Sequence, residues 1–164
     1  MSVGDIFRPG MRAYLIPLVA GLTLAASAFL PWVRVGDETM TGIPDTVGLW
    51  VVGLGLIAAI LALLSLITRK NSRHPLLVVG LVALGLMFLS WRLMPRAVAD
   101  RVQTHSQAVA IVEETELGAP PPAIVGGGIY TGLVAACTLV GFGLTIVVRR
   151  AQRPYVVESK DDDV

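Results

Sequence analysis

Cysteine is nearly absent from this chain: Cys137 stands alone among 164 residues. A single thiol excludes an internal disulfide framework and any multi-cysteine metal centre. Histidine is limited to His74 and His105, and aromatic residues make up only 6% of the sequence. Charged residues reach 15%, against about 25% in soluble domains. That shortfall excludes a disordered chain and an ordinary soluble globule. The 13 Lys and Arg nearly cancel the 12 Asp and Glu, leaving a net charge of +1, so no basic field points to nucleic acid. What fills the chain instead is apolar: 54% of residues are hydrophobic and the mean hydropathy is +0.72. The composition is that of a single-domain integral membrane protein.

A charge at the centre of a membrane helix costs about 2.5–3.5 kcal/mol on insertion scales. Charge-free windows near the ~20 residues that cross a ~30 Å core therefore mark the spans. Four occur, at Ala13–Val33, Thr46–Thr68, Pro75–Met94 (with Arg92 snorkelling at its end) and Ile124–Val148. Because open irregular backbone is excluded from lipid, each window is expected to be helical. The predicted fold is all-α: an up-down-up-down bundle of four transmembrane helices. Ala26-Ser27-Ala28 resembles a signal cleavage site, but the apolar stretch before it is too long for a signal core, so an uncleaved first helix is expected. Pro17 should kink that helix.

Orientation follows from the basic flanks. Arg8, Arg12, Arg69, Lys70, Arg73, Arg149, Arg150, Arg153 and Lys160 lie on one side, against Arg34, Arg92, Arg96 and Arg101 on the other. Nine against four places both termini in the cytoplasm, with a tight turn at 69–74 and a flexible tail at 149–164. Trp32, Trp50 and Trp91 fall at the outer ends of spans, where indoles anchor among headgroups.

Two loops then face outward. In the first, Gly36-Asp37-Glu38 follows Val33 and Val35 and predicts a short hairpin. Asp37, Glu38 and Asp45 lack the spacing of a calcium loop. In the second, residues 95–123, Val98, Val102, His105, Val109 and Val112 recur at helical intervals. They predict an amphipathic helix of about four turns, either prolonging the third span beyond Pro95 or lying on the outer surface. This stripe is a candidate partner-binding face, and the prolines at 120–122 bring the chain back to the membrane.

Chemistry inside the bilayer needs ionisable groups there. The four windows hold none in their cores. Haem ligation would need histidines on facing helices, and a thiol oxidase would need paired cysteines. Lipoprotein signal peptidases share the size and layout, but their two catalytic aspartates would fall to Asp45 and Asp100, which lack that family's surrounding residues. No enzyme, cofactor, metal or small-molecule substrate is expected. The spans do carry small residues at packing intervals: Gly21 and Ala25, Gly55 and Ala59, and Gly128, Gly132 and Ala136. Small residues let backbones approach closely, which is the main source of packing energy in lipid. Cys137 is expected to serve as one more small packing residue; Gly80 and Gly85 share no face.

The segment Leu30-Pro31-Trp32-Val33, followed by Gly36-Asp37, Thr41-Gly42 and Gly48-Leu49-Trp50, resembles small bacterial four-helix membrane proteins with a Pro-Trp after the first helix. The resemblance covers about 40 residues. It implies an inner-membrane protein, carries no assigned activity and transfers no functional residue. Gly48-Leu49-Trp50 is also similar to the first extracellular loop of claudins, whose loop cysteines are missing here. Together these readings predict a non-catalytic accessory, scaffold or assembly subunit that contacts membrane lipid and another membrane protein or itself. A component of an oligomeric transporter or channel, and a small membrane sensor, are the alternatives.

Overall fold

A computed structural model describes residues 12–36, 38–68, 73–113 and 122–151. Asp37, the basic turn at 69–72, the loop at 114–121 and the terminal segments, including the acidic tail, lie outside the described residues.

Helix α1 spans Leu15–Ser27, preceded by a 3-10 turn at Arg12–Tyr14. Pro17 is its third residue, where a backbone N–H has no intrahelical acceptor in any case. The expected kink is therefore not required: the proline sits in the one turn that tolerates it. The helix also ends six residues short of the predicted Val33. Its last carbonyls are taken up by turn bonds from Ala28, Phe29 and Leu30 to Ala25, Ala26 and Ser27, and Pro31 bars the residue before it from helical geometry.

The chain then enters a hairpin, β1 (Pro31–Val35) and β2 (Glu38–Thr41). Val35 pairs with Glu38, and Gly36 turns the chain at a φ of 58°, a left-handed conformation that costs a side chain about 1–2 kcal/mol. A third strand, β3 (Ala123–Val125), pairs antiparallel with the other edge of β1, opposing Val125 to Val33 and Ala123 to Val35. The sheet order is β2-β1-β3. The hairpin matches the sequence expectation; β3 lies where the fourth span was expected to begin.

Three longer helices complete the molecule: α2 (Thr46–Thr68), α3 (Arg73–Glu113) and α4 (Gly127–Ala151). All three are long and apolar enough to cross a membrane, whereas α1 is a shorter apolar helix. Helix α1 packs on α2 and α4, while α3 packs mainly on α4 and less extensively on α2. The core runs down the middle through Leu24, Met87, Ile129, Leu139 and Leu76, all fully buried. Tyr14 meets Phe142 edge-on with ring centroids 5.3 Å apart, an arrangement that suits the ring quadrupoles. Buried Ser65 and Ser90 donate to the carbonyls of Leu61 and Leu86 four residues earlier, a bond to the backbone of their own helix. The outward faces carry Ile57, Ile60, Leu64 and Ile67 on α2 and Leu81, Val82 and Leu89 on α3, each about half exposed. An apolar exterior on this scale is consistent with a membrane protein.

Candidate functional site

The small residues singled out by spacing meet one another directly. A β-carbon on Gly21 would stand 2.8 Å from the backbone nitrogen of Ala59, and one on Gly55 would stand 2.6 Å from that of Ala25. Gly21 and Ala25 of α1 thus interlock with Gly55 and Ala59 of α2, backbone against backbone. Gly128 and Gly132 serve a different contact. The first lies under the Trp32 ring and the Ser27 carbonyl, and the second against Met87 and the Ser27 hydroxyl. Ala136 is fully buried. The α3–α4 crossing is made by glycines without a legible pairing in sequence: Gly80 sits against Leu139 and Val140, and Gly143 against Leu77. A β-carbon on Gly85 would meet no atom within 4 Å beyond its own helix backbone.

Two expectations are corrected. Trp32 is no headgroup anchor: it is fully buried, and its indole N–H donates to the Ser27 carbonyl at 2.8 Å. It closes the end of the core nearest the sheet, held between Gly42 and Gly128. Strand β1, rather than a further helical turn, is what points this ring inward. Trp50 remains 63% exposed, and half-buried Trp91 leans on Phe88 at 5.7 Å. Cys137 is exposed, so it faces away from the bundle instead of packing within it.

The stripe from Val98 to Val112 divides in two. Helix α3 runs on through Pro95, so this segment prolongs the third apolar stretch. Val98 is buried and Val102 half-buried against the core. Beyond them His105 is exposed, and Val109, Ile111 and Val112 are 39%, 79% and 83% exposed. The inner valines hold the stalk to the bundle, and the outer ones are uncovered.

Where the stalk passes the hairpin, an open cleft of about 570 Å³ forms between Val35 and Glu38 on the sheet and Arg101, Val102, His105 and Ser106 on α3. That volume lies within the usual range for small-molecule sites. Glu38 and Arg101 are exposed on opposite walls. Among the described residues neither makes an ion pair or hydrogen bond through its side chain. Ser106 rests its hydroxyl on the Gln103 carbonyl at 2.9 Å, leaving its oxygen free to accept. One turn closer to the bundle, Ala97 opens a second, narrower groove of about 190 Å³. Leu86, Leu89 and Leu93 line it, and Asp45 stands at its rim. Sequence reasoning found His105 and Val102 but not Glu38, Arg101 or Ser106 as their companions. The one available signal was the unmatched charge of Arg101 on the polar side of the stripe.

No family model, curated protein or solved structure matches this chain. The functional reading therefore rests on these surfaces.

Proposed function

We propose that this chain is a non-catalytic accessory or assembly subunit of a bacterial inner-membrane complex. In this reading it spans the bilayer four times with both termini in the cytoplasm, and it grips a partner membrane protein. The observation that carries the reading is the length of α3. Its 41 residues extend about 61 Å at 1.5 Å per residue, roughly twice the ~30 Å hydrocarbon core. The surplus ends in Val109, Ile111 and Val112, exposed on a stalk that the Arg96–Arg101 segment keeps out of the hydrocarbon. Apolar residues uncovered in water favour a covering surface.

A second surface supports the same reading. Gly127, Thr131, Val134, Thr138, Gly141 and Thr145 recur along α4 at intervals of four and three. All are exposed except half-buried Thr131. Nothing lies within 4 Å of where a side chain on Gly127 or Gly141 would begin. Thr131 and Thr138 return their hydroxyls to the carbonyls of Gly127 and Val134, which leaves a smooth, low ridge suited to close helix approach.

The test is site-specific photo-crosslinking at Val112 and Thr138 in native membranes. A single stoichiometric adduct from both positions is expected, and the adduct at Thr138 should disappear with Val109→Asp and Val112→Asp combined. These substitutions lie on exposed positions and leave the bundle intact. An adduct of twice the chain's own mass would make the partner a second copy. No adduct at either position would refute the assembly role.

A further inference from the structure

We infer that the cleft between the hairpin and α3 binds a phosphoethanolamine-type zwitterion, the headgroup chemistry of phosphatidylethanolamine. The inference rests on the reading that α3 crosses the membrane, and goes beyond it by assigning a ligand to a site.

Charge comes first. Arg101 stands on one wall, with five N–H donors in a planar fork suited to phosphate oxygens. Glu38 faces it from β2, across the same cleft. No ion pair joins them, so a ligand that joins them must carry an anion toward α3 and a cation toward β2. A phosphate and an ammonium separated by two carbons meet that demand. His105, one turn beyond Arg101 on the same helix face, adds an imidazole N–H to the phosphate side. Val35 and Val102 floor the cleft with apolar surface, which lies against the ethyl carbons.

Depth comes second. Arg101 lies seven residues beyond Met94, the last residue of the apolar stretch, or about 10 Å along a helix. The headgroup region adds about 5–7.5 Å outside the ~30 Å core on each face, and a long arginine side chain can reach back over that distance, so the cleft opens within reach of the lipid phosphates. The groove lined by Leu86, Leu89 and Leu93 faces Asp45 and Val47 and shares no lining residue with the cleft, so the lipid assignment stands on the charges of the cleft and on its depth.

The experiment uses the full-length protein extracted from vesicles of equal parts phosphatidylethanolamine and phosphatidylglycerol, with retained lipid measured by native mass spectrometry. Phosphatidylethanolamine should be retained in preference. Arg101→Gln should lower total retention about tenfold, the size of one charge-assisted hydrogen bond. Glu38→Gln should keep lipid but retain both kinds equally, because only the ammonium partner is lost. Equal retention in the unaltered protein, or unchanged preference in both variants, would overturn the assignment. Soluble phosphoethanolamine, titrated against the His105 imidazole resonances of the detergent-solubilised protein, separates the two sources. A saturable shift abolished by Arg101→Gln, without lipid enrichment, would keep the site and make its ligand the free zwitterion. Carbonate extraction of the native membranes tells apart the two possible failures. Protein released by carbonate fails the membrane reading itself, whereas protein that stays in the membrane without lipid preference fails only this proposal.

Discussion

Replacing Gly55 with alanine should force α1 and α2 apart. The added β-carbon would lie 2.6 Å from the Ala25 nitrogen, 2.7 Å from the Gly21 carbonyl oxygen and 3.0 Å from the Ala25 α-carbon. All three are backbone atoms of a helix, so none can swing aside as the end of a side chain would. Ordinary contact begins at 3.4 Å, which asks the helices to part by the difference between 2.6 and 3.4 Å. A gap of about 0.5–1 Å forfeits a quarter to a half of the dispersion energy across the neighbouring contacts. Overpacking of this kind costs about 1–3 kcal/mol. Alanine also recovers about 0.8–1.0 kcal/mol of helix propensity over glycine, which would mask part of the loss. Gly53, two residues earlier on the same helix, has nothing within 4 Å and provides the control. Gly53→Ala gains the same propensity without the clash, so the difference between the two variants isolates packing, at about 1–3 kcal/mol. Equilibrium unfolding in mixed SDS micelles, followed by circular dichroism, measures both. If the two variants agree within about 0.5 kcal/mol, the ordinary scatter of surface changes, the interlock of α1 and α2 does not hold the bundle.

Trp32→Phe removes the shorter of two bonds to the Ser27 carbonyl, leaving the Leu30 N–H, and should cost about 0.5–1.5 kcal/mol. Trp50→Phe should stay within about 0.5 kcal/mol, and equal effects in the same unfolding assay would remove Trp32 from its place at the end of the core. Pro95→Ala returns a donor to the Trp91 carbonyl and should stabilise the stalk by up to about 3 kcal/mol. Faster amide exchange over residues 91–99 in that variant would contradict a continuous α3. Cys137, exposed on the outside of α4, should react in membranes with an uncharged lipid-soluble maleimide and not with a charged one. Modification by the charged reagent in intact membranes would place that face in water.

The apolar windows at Thr46–Thr68 and Ile124–Val148 located α2 and most of α4, because a run without charge has only one regular structure available in lipid. Hydropathy cannot see where such a run changes structure. Phe29, Leu30 and Val33 read as a continuing span, yet Phe29 and Leu30 form a turn and Pro31 opens the strand that holds Val33. Ala123-Ile124-Val125 reads as the start of a helix, yet its partner is β1, nearly ninety residues earlier. The hairpin turn was legible because Gly36-Asp37-Glu38 follows the alternating valines Val33 and Val35 and its geometry is local. The spacing of Gly21, Ala25, Gly55 and Ala59 announced packing faces, but not that these two faces meet. The cleft was hidden for the same reason. Glu38 and Arg101 are brought together by the sheet leaning on α3, and no local pattern records it.

The short α1 explains why a sheet sits on a bundle of helices. Thirteen residues rise about 20 Å, well short of a ~30 Å core. The apolar chain nevertheless continues, with Phe29 63% and Leu30 42% exposed. In the four-span reading proposed above, non-helical backbone at that depth is tolerated only where the protein itself meets its polar groups. Here the Ala28 carbonyl accepts from the Ile43 N–H at 3.2 Å, and the Trp32 carbonyl accepts from the Gly126 N–H at 2.7 Å. The indole N–H of Trp32 caps Ser27, and β2 and β3 bond both edges of β1. The sheet therefore gives residues 28–35 the hydrogen bonds that two further helical turns would have given. It also does what those turns could not. It folds the Trp32 ring back over the core between Gly42 and Gly128, and it sets Val35 and Glu38 beside α3 as one wall of the cleft. A first helix long enough to reach Val33 would leave the outer end of the bundle without its plug and the stalk without a facing surface.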